Sequence, residues 1–226
     1  MSKPTAPLSH PELVRRCEEY VRAQMGDEPT GHDWWHAVRV RNLAVRIAGD
    51  EGLSRAEIEL AEITGLLHDL EDEKFSGSET AGPAAAAAFL RTQGCDEEFA
   101  DAVADIISKI SFHGARVEDK EMSLVGQCVR DADRLDAMGD IGIARAFAYG
   151  GHFNRAIHDP EMTLNLATSK DSYRNTKGTT INHFYEKLLL LRDRMTTTTG
   201  RRIAEGRHQA MVDFLDRFDS EWDGLD

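Results

Sequence analysis

Residues 54–69 read SRAEIELAEITGLLHD. Ser54-x-x-Glu57 is a capping box, in which the serine and glutamate side chains satisfy amides that an opening helix leaves without partners. Ile63, Leu66 and Leu67 then fall at helical spacing and form an apolar stripe. The stripe runs directly into His68-Asp69, so two ionisable side chains stand at the end of a face that points inward. A buried carboxylate is costly unless it is paired or bound to a cation. This stretch sets two expectations: the chain is helical, and His68-Asp69 carries chemistry.

The same grammar extends along the chain. Ser9-x-x-Glu12 is a second capping box, and Pro11 fits an early helical position, where its missing N–H costs nothing. Further helices are expected at about 33–49, 79–93, 96–111, 121–138, 178–195 and 199–222. The alanine run 84–88 favours helix and offers a smooth packing surface. Phe99, Val103, Ile106, Ile107 and Ile110 keep helical spacing, as do Met211, Phe214, Leu215, Phe218 and Trp222. Strand alternation, internal repeats and Gly/Ser-rich linkers are missing, so the expectation is an all-α fold with residues 1–226 as a single domain. The least regular stretch is 150–178, with Gly150-Gly151 and Pro160, and reads either as a loop that borders a binding site or as a plain surface loop.

Composition narrows the function. With 226 residues, 41% hydrophobic and 30% charged, the chain is long and apolar enough to bury a core. A net charge of −13 argues against binding along a nucleic-acid polymer, which needs a basic face. A small anionic substrate fits if a metal and a few cations make its site locally positive. No apolar run approaches the roughly 18–20 residues that span a bilayer, and MSKPTAPLSH lacks the apolar core of a signal peptide. The expectation is a cytoplasmic protein away from membranes. Cys17, Cys95 and Cys128 are widely spaced singles, which points to reduced thiols rather than a zinc knuckle or disulfide framework.

Two more helices repeat the pattern of 54–69. Val40, Leu43 and Ile47 share a face, and stepping back four residues from Val40 reaches His36. Val125 and Val129 step forward to Asp133. Three helices thus place His or Asp on inward faces, and one shared metal ion would satisfy them all. The His-Asp dipeptide alone decides little, since it occurs three times. His32-Asp33 follows Gly31 before an apolar helix, where Asp33 suits an N-cap. His158-Asp159 precedes Pro160 and reads as a turn.

The order His36, His68-Asp69, Asp133 resembles the H…HD…D signature of the HD-domain phosphohydrolase superfamily. The surrounding strings are HDWWHAVRV at 32–40, GLLHDLEDEKF at 65–75, DADRLDAMGDIGIARAF at 131–147 and INHFYEKLLLL at 181–191. Together they resemble the small stand-alone bacterial members over about residues 25–222. The resemblance implies an HD-type helical bundle, with a metal-site core at about 30–140 and C-terminal helices at 178–222 closing the cleft. It implies one divalent ion held by His36, His68, Asp69 and Asp133. A mixed nitrogen and oxygen set of this kind suits Mn²⁺, Mg²⁺, Fe²⁺, Co²⁺ or Ni²⁺ better than a closed structural zinc site. The implied reaction is hydrolysis of a phosphoester or phosphoanhydride bond in a small phosphorylated substrate, a nucleotide in particular, by a monomer or homodimer.

Roles for other residues follow from position. Asp72, three residues past Asp69, is placed to orient or deprotonate water, and Lys74 to meet a phosphate oxygen. Arg39, three residues after His36, is a phosphate-binding candidate. His183 and Lys187, spaced i, i+4, resemble the family's HF-x-x-KL stretch and are candidates for substrate contact. Arg134 and Asp136 flank the metal aspartate and are candidates for hydrogen bonds that support it. Family members with two metals carry extra histidines between the HD pair and the last Asp; here that interval holds only His113, which favours one metal. The competing expectation is a non-catalytic nucleotide-binding sensor on the same fold.

Overall fold

A computed structural model of the chain describes residues 8–25, 29–70, 80–111, 117–165 and 178–225. These residues hold nine α-helices and one 3₁₀ helix, and no strand. In chain order the helices are α1 (His10–Met25), α2 (Trp34–Asp50), α3 (Arg55–Leu67), α4 (Ala81–Thr92), α5 (Glu97–Ile110) and α6 (Leu124–Asp136). They continue with α7 (Gly139–His152), α8 (Thr180–Glu186), the 3₁₀ helix Leu188–Arg194 and α9 (Thr198–Asp223). None of them is long and apolar enough to cross a membrane. The chain divides into two compact units: one holds α1–α5 and α6 as far as Ala132, the other the rest of α6, α7–α9 and the 3₁₀ helix.

In the first unit the helix starts are fixed locally. Ser54 and Glu57 form the expected reciprocal capping box of α3. Asp33 caps α2 by accepting the amide of His36 at 2.9 Å, and Asp96 caps α5 by accepting that of Phe99 at 2.8 Å. Leu13, Cys17 and Val21 of α1 meet Ile63, Leu66 and Leu67 of α3 and Leu90 of α4 in one buried core. Tyr20 of α1 stacks on Phe89 of α4 with ring centroids 4.1 Å apart. At its edge, Glu62 ties three helices together by accepting from Arg41 at 3.1 Å and lying 2.8 Å from His10 Nε2.

Cys17 and Cys128 are buried and Cys95 half-buried, all as free thiols. Burial pushes the first two up to about 12 and raises Cys95 as well, so little thiolate exists near neutrality. Ellman's reagent at pH 8 should therefore reach Cys17 and Cys128 only when the protein unfolds. Immediate modification of both in the native protein would contradict this packing.

The second unit departs from expectation in two places. Residues 139–152 form a helix, α7, where the sequence pattern suggested none. The segment carries four glycines, which lower helix propensity, but two of them serve close packing. A Cβ on Gly142 would lie 2.3 Å from the Ala137 carbonyl oxygen, and one on Gly150 would lie 2.3 Å from Thr180 Oγ1. Conversely, the single helix expected at 178–195 is broken. Lys187 leaves helical geometry at φ −141° and ψ −61°, and the leucine run continues as a 3₁₀ turn. Its three-residue repeat stacks Leu188 above Leu191, both buried. Phe147, Phe184 and Phe214 form the aromatic centre of this unit, with centroids 5.7–6.1 Å apart. The His158-Asp159 turn is present: Asp159 Oδ1 accepts the amide of Glu161 at 3.0 Å.

Candidate metal centre

Helix α2 delivers His36 at the end of its first turn, where the Asp33 cap fixes the backbone. Helix α3 stops at Leu67, and His68 and Asp69 occupy the turn that follows. Gly65 lets the two segments approach closely. A Cβ at this position would lie 3.0 Å from the Arg41 Cα, so the backbones of α2 and α3 approach closely enough that an alanine would press them apart by a few tenths of an ångström. Gly65 also contributes chemistry. Its carbonyl accepts from His68 Nδ1 at 2.9 Å, which fixes a ring proton on Nδ1 and turns Nε2 toward the cluster.

The result is a tight cluster. His36 Nε2 lies 3.2 Å from His68 Nε2 and 3.1 Å from Asp69 Oδ2, and His68 Nε2 lies 3.6 Å from Asp69 Oδ1. The three ligand atoms all fall within 4.8 Å of one another. His36 is 1% exposed and the Asp69 side chain 14%, so the donors are almost wholly withdrawn from water. Burial alone drives the Asp69 carboxyl upward, but the charge of His68, the hydrogen bond from His36 and the charge of His32 outweigh it. The carboxyl is held well below the usual range and stays ionised. Two imidazole nitrogens and a carboxylate converging in a buried place are a donor set that fits a divalent cation, and the Gly65 carbonyl presents His68 as carbonyls commonly present metal-bound histidines.

The other expected residues fall as follows. Asp133 is half-buried on α6, in the part that belongs to the second unit. Arg39 is half-buried on α2, one turn beyond His36. His183 lies within α8 and Lys187 caps it, with the Lys187 amide donating to the His183 carbonyl at 3.0 Å; both side chains are half-buried. Asp72, Lys74 and His113 lie outside the described residues.

Arg134 and Asp136 are committed to the frame of the second unit. Arg134 forks onto both oxygens of Asp119, at 2.9 and 2.6 Å, and donates to the Arg194 carbonyl at 2.9 Å. Asp136 accepts from Arg145 at 2.9 Å. Two contributors were not singled out from sequence. One is Gly65, whose signal is a small residue one turn before a candidate ligand. The other is His32, whose ring meets that of His36 edge-on at 5.8 Å.

Comparison with known proteins places the chain among HD-domain proteins. A family model described as the HD domain matches residues 34–138, which span His36, His68, Asp69 and Asp133. The Bacillus subtilis protein YpgQ is 34% identical over 220 residues, covering 97% of each chain. A crystal structure of YpgQ in complex with ADP superposes with a TM-score of 0.71 at 31% identity, covering 94% of this chain and 100% of that one. A Lactobacillus plantarum structure superposes with a TM-score of 0.83 at 33% identity over 98% and 100% of the two chains. A Bacillus thuringiensis structure described as an HD-superfamily hydrolase gives 0.72 at 35% identity over 95% and 99%.

Proposed function

The chain belongs to the HD-domain family, and from that premise we propose that it is a divalent-metal-dependent phosphohydrolase acting on a small phosphorylated substrate, a nucleotide in particular. The observation that carries the reading is the convergence of His36, His68 and Asp69 in a buried cluster with an ionised carboxylate. Support for a nucleotide comes from the ADP complex of YpgQ, a relative matched over nearly its whole length.

His36, His68 and Asp69 would hold the ion, and Asp133 is proposed as the fourth protein ligand. When bound, a divalent ion supplies Lewis acidity, making water more acidic and polarising a phosphoryl oxygen. The protein's own contribution is orientation. The Gly65 carbonyl keeps the His68 ring in one tautomer, and the Asp33 cap holds the turn that carries His36. Asp72 is proposed to orient the attacking water and take its proton. Lys74, Arg39, His183 and Lys187 are proposed to bind the phosphate groups, whose charge a protein of net −13 must neutralise locally.

The test is release of phosphate and pyrophosphate from a panel of nucleotides and sugar phosphates by chelator-stripped protein. Activity should return with one or more of Mn²⁺, Mg²⁺, Fe²⁺, Co²⁺ and Ni²⁺, and the product identifies the bond cleaved. Full activity in protein shown metal-free by elemental analysis would refute the reading. Retention of nucleotide binding with no turnover under any metal would instead favour the sensor.

A further inference from the structure

Among its described residues, the first unit packs the rings of its Phe, Tyr and Trp residues against its core, with one exception. Tyr20, Trp34, Phe89 and Phe99 all pack against the apolar cluster. Trp35 is 60% exposed, and among the described residues of this unit no other aromatic side chain is left in water to that degree. It is also the residue directly before His36. We propose that Trp35 is the surface on which the base of a nucleotide stacks while its phosphates are held at the His36, His68 and Asp69 cluster; this rests on the nucleotide reading above.

Three features favour this role. Trp35 lies in the first turn of α2, whose backbone is fixed by the Asp33 cap, so the indole is carried on a rigid support beside the metal ligand. Arg39 stands four residues on and therefore on the same helix face, which aligns an aromatic surface with a phosphate-binding candidate. Trp34, the neighbouring indole, points to the core and cannot serve; the two rings lie 6.5 Å apart and are tilted by 52°. Every nucleobase has a π-face, so an indole here selects nucleotides as a class over phosphates without a base.

The experiment measures ADP and pyrophosphate dissociation constants by titration calorimetry on metal-loaded protein, for the wild type, Trp35→Ala and Trp35→Phe. Trp35→Ala should weaken ADP by about tenfold, within the range that loss of one base-aromatic stack produces. Trp35→Phe should recover most of that loss, and pyrophosphate and metal affinity should be equal in all three proteins. An ADP constant within twofold of wild type in Trp35→Ala overturns the proposal, as does equal weakening of pyrophosphate. Hydrolysis is scored separately. Wild-type protein that cleaves phosphates but does not bind ADP refutes the Trp35 role together with the nucleotide preference and leaves the hydrolase reading standing, whereas ADP binding that depends on Trp35 without turnover refutes the hydrolase reading alone.

Discussion

Asp69→Ala is expected to abolish metal binding and to lower turnover by at least about a hundredfold, beyond the 10–100-fold typical for loss of an outer-shell partner. Asp69 supplies the anionic donor of the buried cluster, 3.1 Å from one imidazole nitrogen and 3.6 Å from the other. Without it, two neutral imidazoles offer a cation no charge compensation. The helices should survive, because Asp69 lies in the turn after α3 and the stripe of Ile63, Leu66 and Leu67 stays intact. Metal content by elemental analysis and helix content by circular dichroism decide the matter. Loss of both together would make the metal chiefly a structural element. Loss of metal with helices retained is the result the proposed function requires.

Gly65→Ala should weaken both the fold and the site, although no polar group is touched. The new Cβ would meet Arg41 backbone atoms at 3.0 and 3.3 Å and the Ala44 Cβ at 3.5 Å. Backbone cannot rotate away as a side-chain tip can, so α2 and α3 must give by a few tenths of an ångström. Overpacking of this kind costs about 1–3 kcal/mol. In a chain of this size each kcal/mol lowers the midpoint by about 2–4 °C. Metal affinity should fall by about 10–100-fold, because His36 and His68 ride on the segments that separate and His68 depends on the Gly65 carbonyl. Gly206→Ala is the matched control: nothing lies within 4 Å of its Cβ, so it should stabilise α9 by about 0.5–1 kcal/mol. Wild-type midpoint and metal affinity in Gly65→Ala would show that the helix approach is not what builds the site.

Much of this was written locally and so could be read from the sequence. The capping box at Ser54, the Asp33 cap and the apolar stripes depend on residues within a turn or two of one another, which is the range over which helix signals act. The same stripes marked His36 and His68-Asp69, because an ionisable residue in an apolar register is visible without knowing the fold. Helix α7 was not legible. Its glycines read as breakers by propensity, and only the Ala137 carbonyl and Thr180 pressed against them make glycine the residue that fits. The break at Lys187 was hidden for the related reason that a run of leucines suits an α-helix and a 3₁₀ turn alike.

Sequence by itself determined the all-helical fold and the family and singled out His36 and His68-Asp69 as candidates, since each rests on residue type and short-range spacing. Tertiary structure decided that His36 and His68, 32 residues apart, place their nitrogens 3.2 Å from each other. It also decided that α2 passes close against Gly65, and that one indole of the Trp34-Trp35 pair packs against the core while the other stays in water. Distances between segments are fixed by packing, and packing depends on every side chain at the contact rather than on the periodicity of either helix.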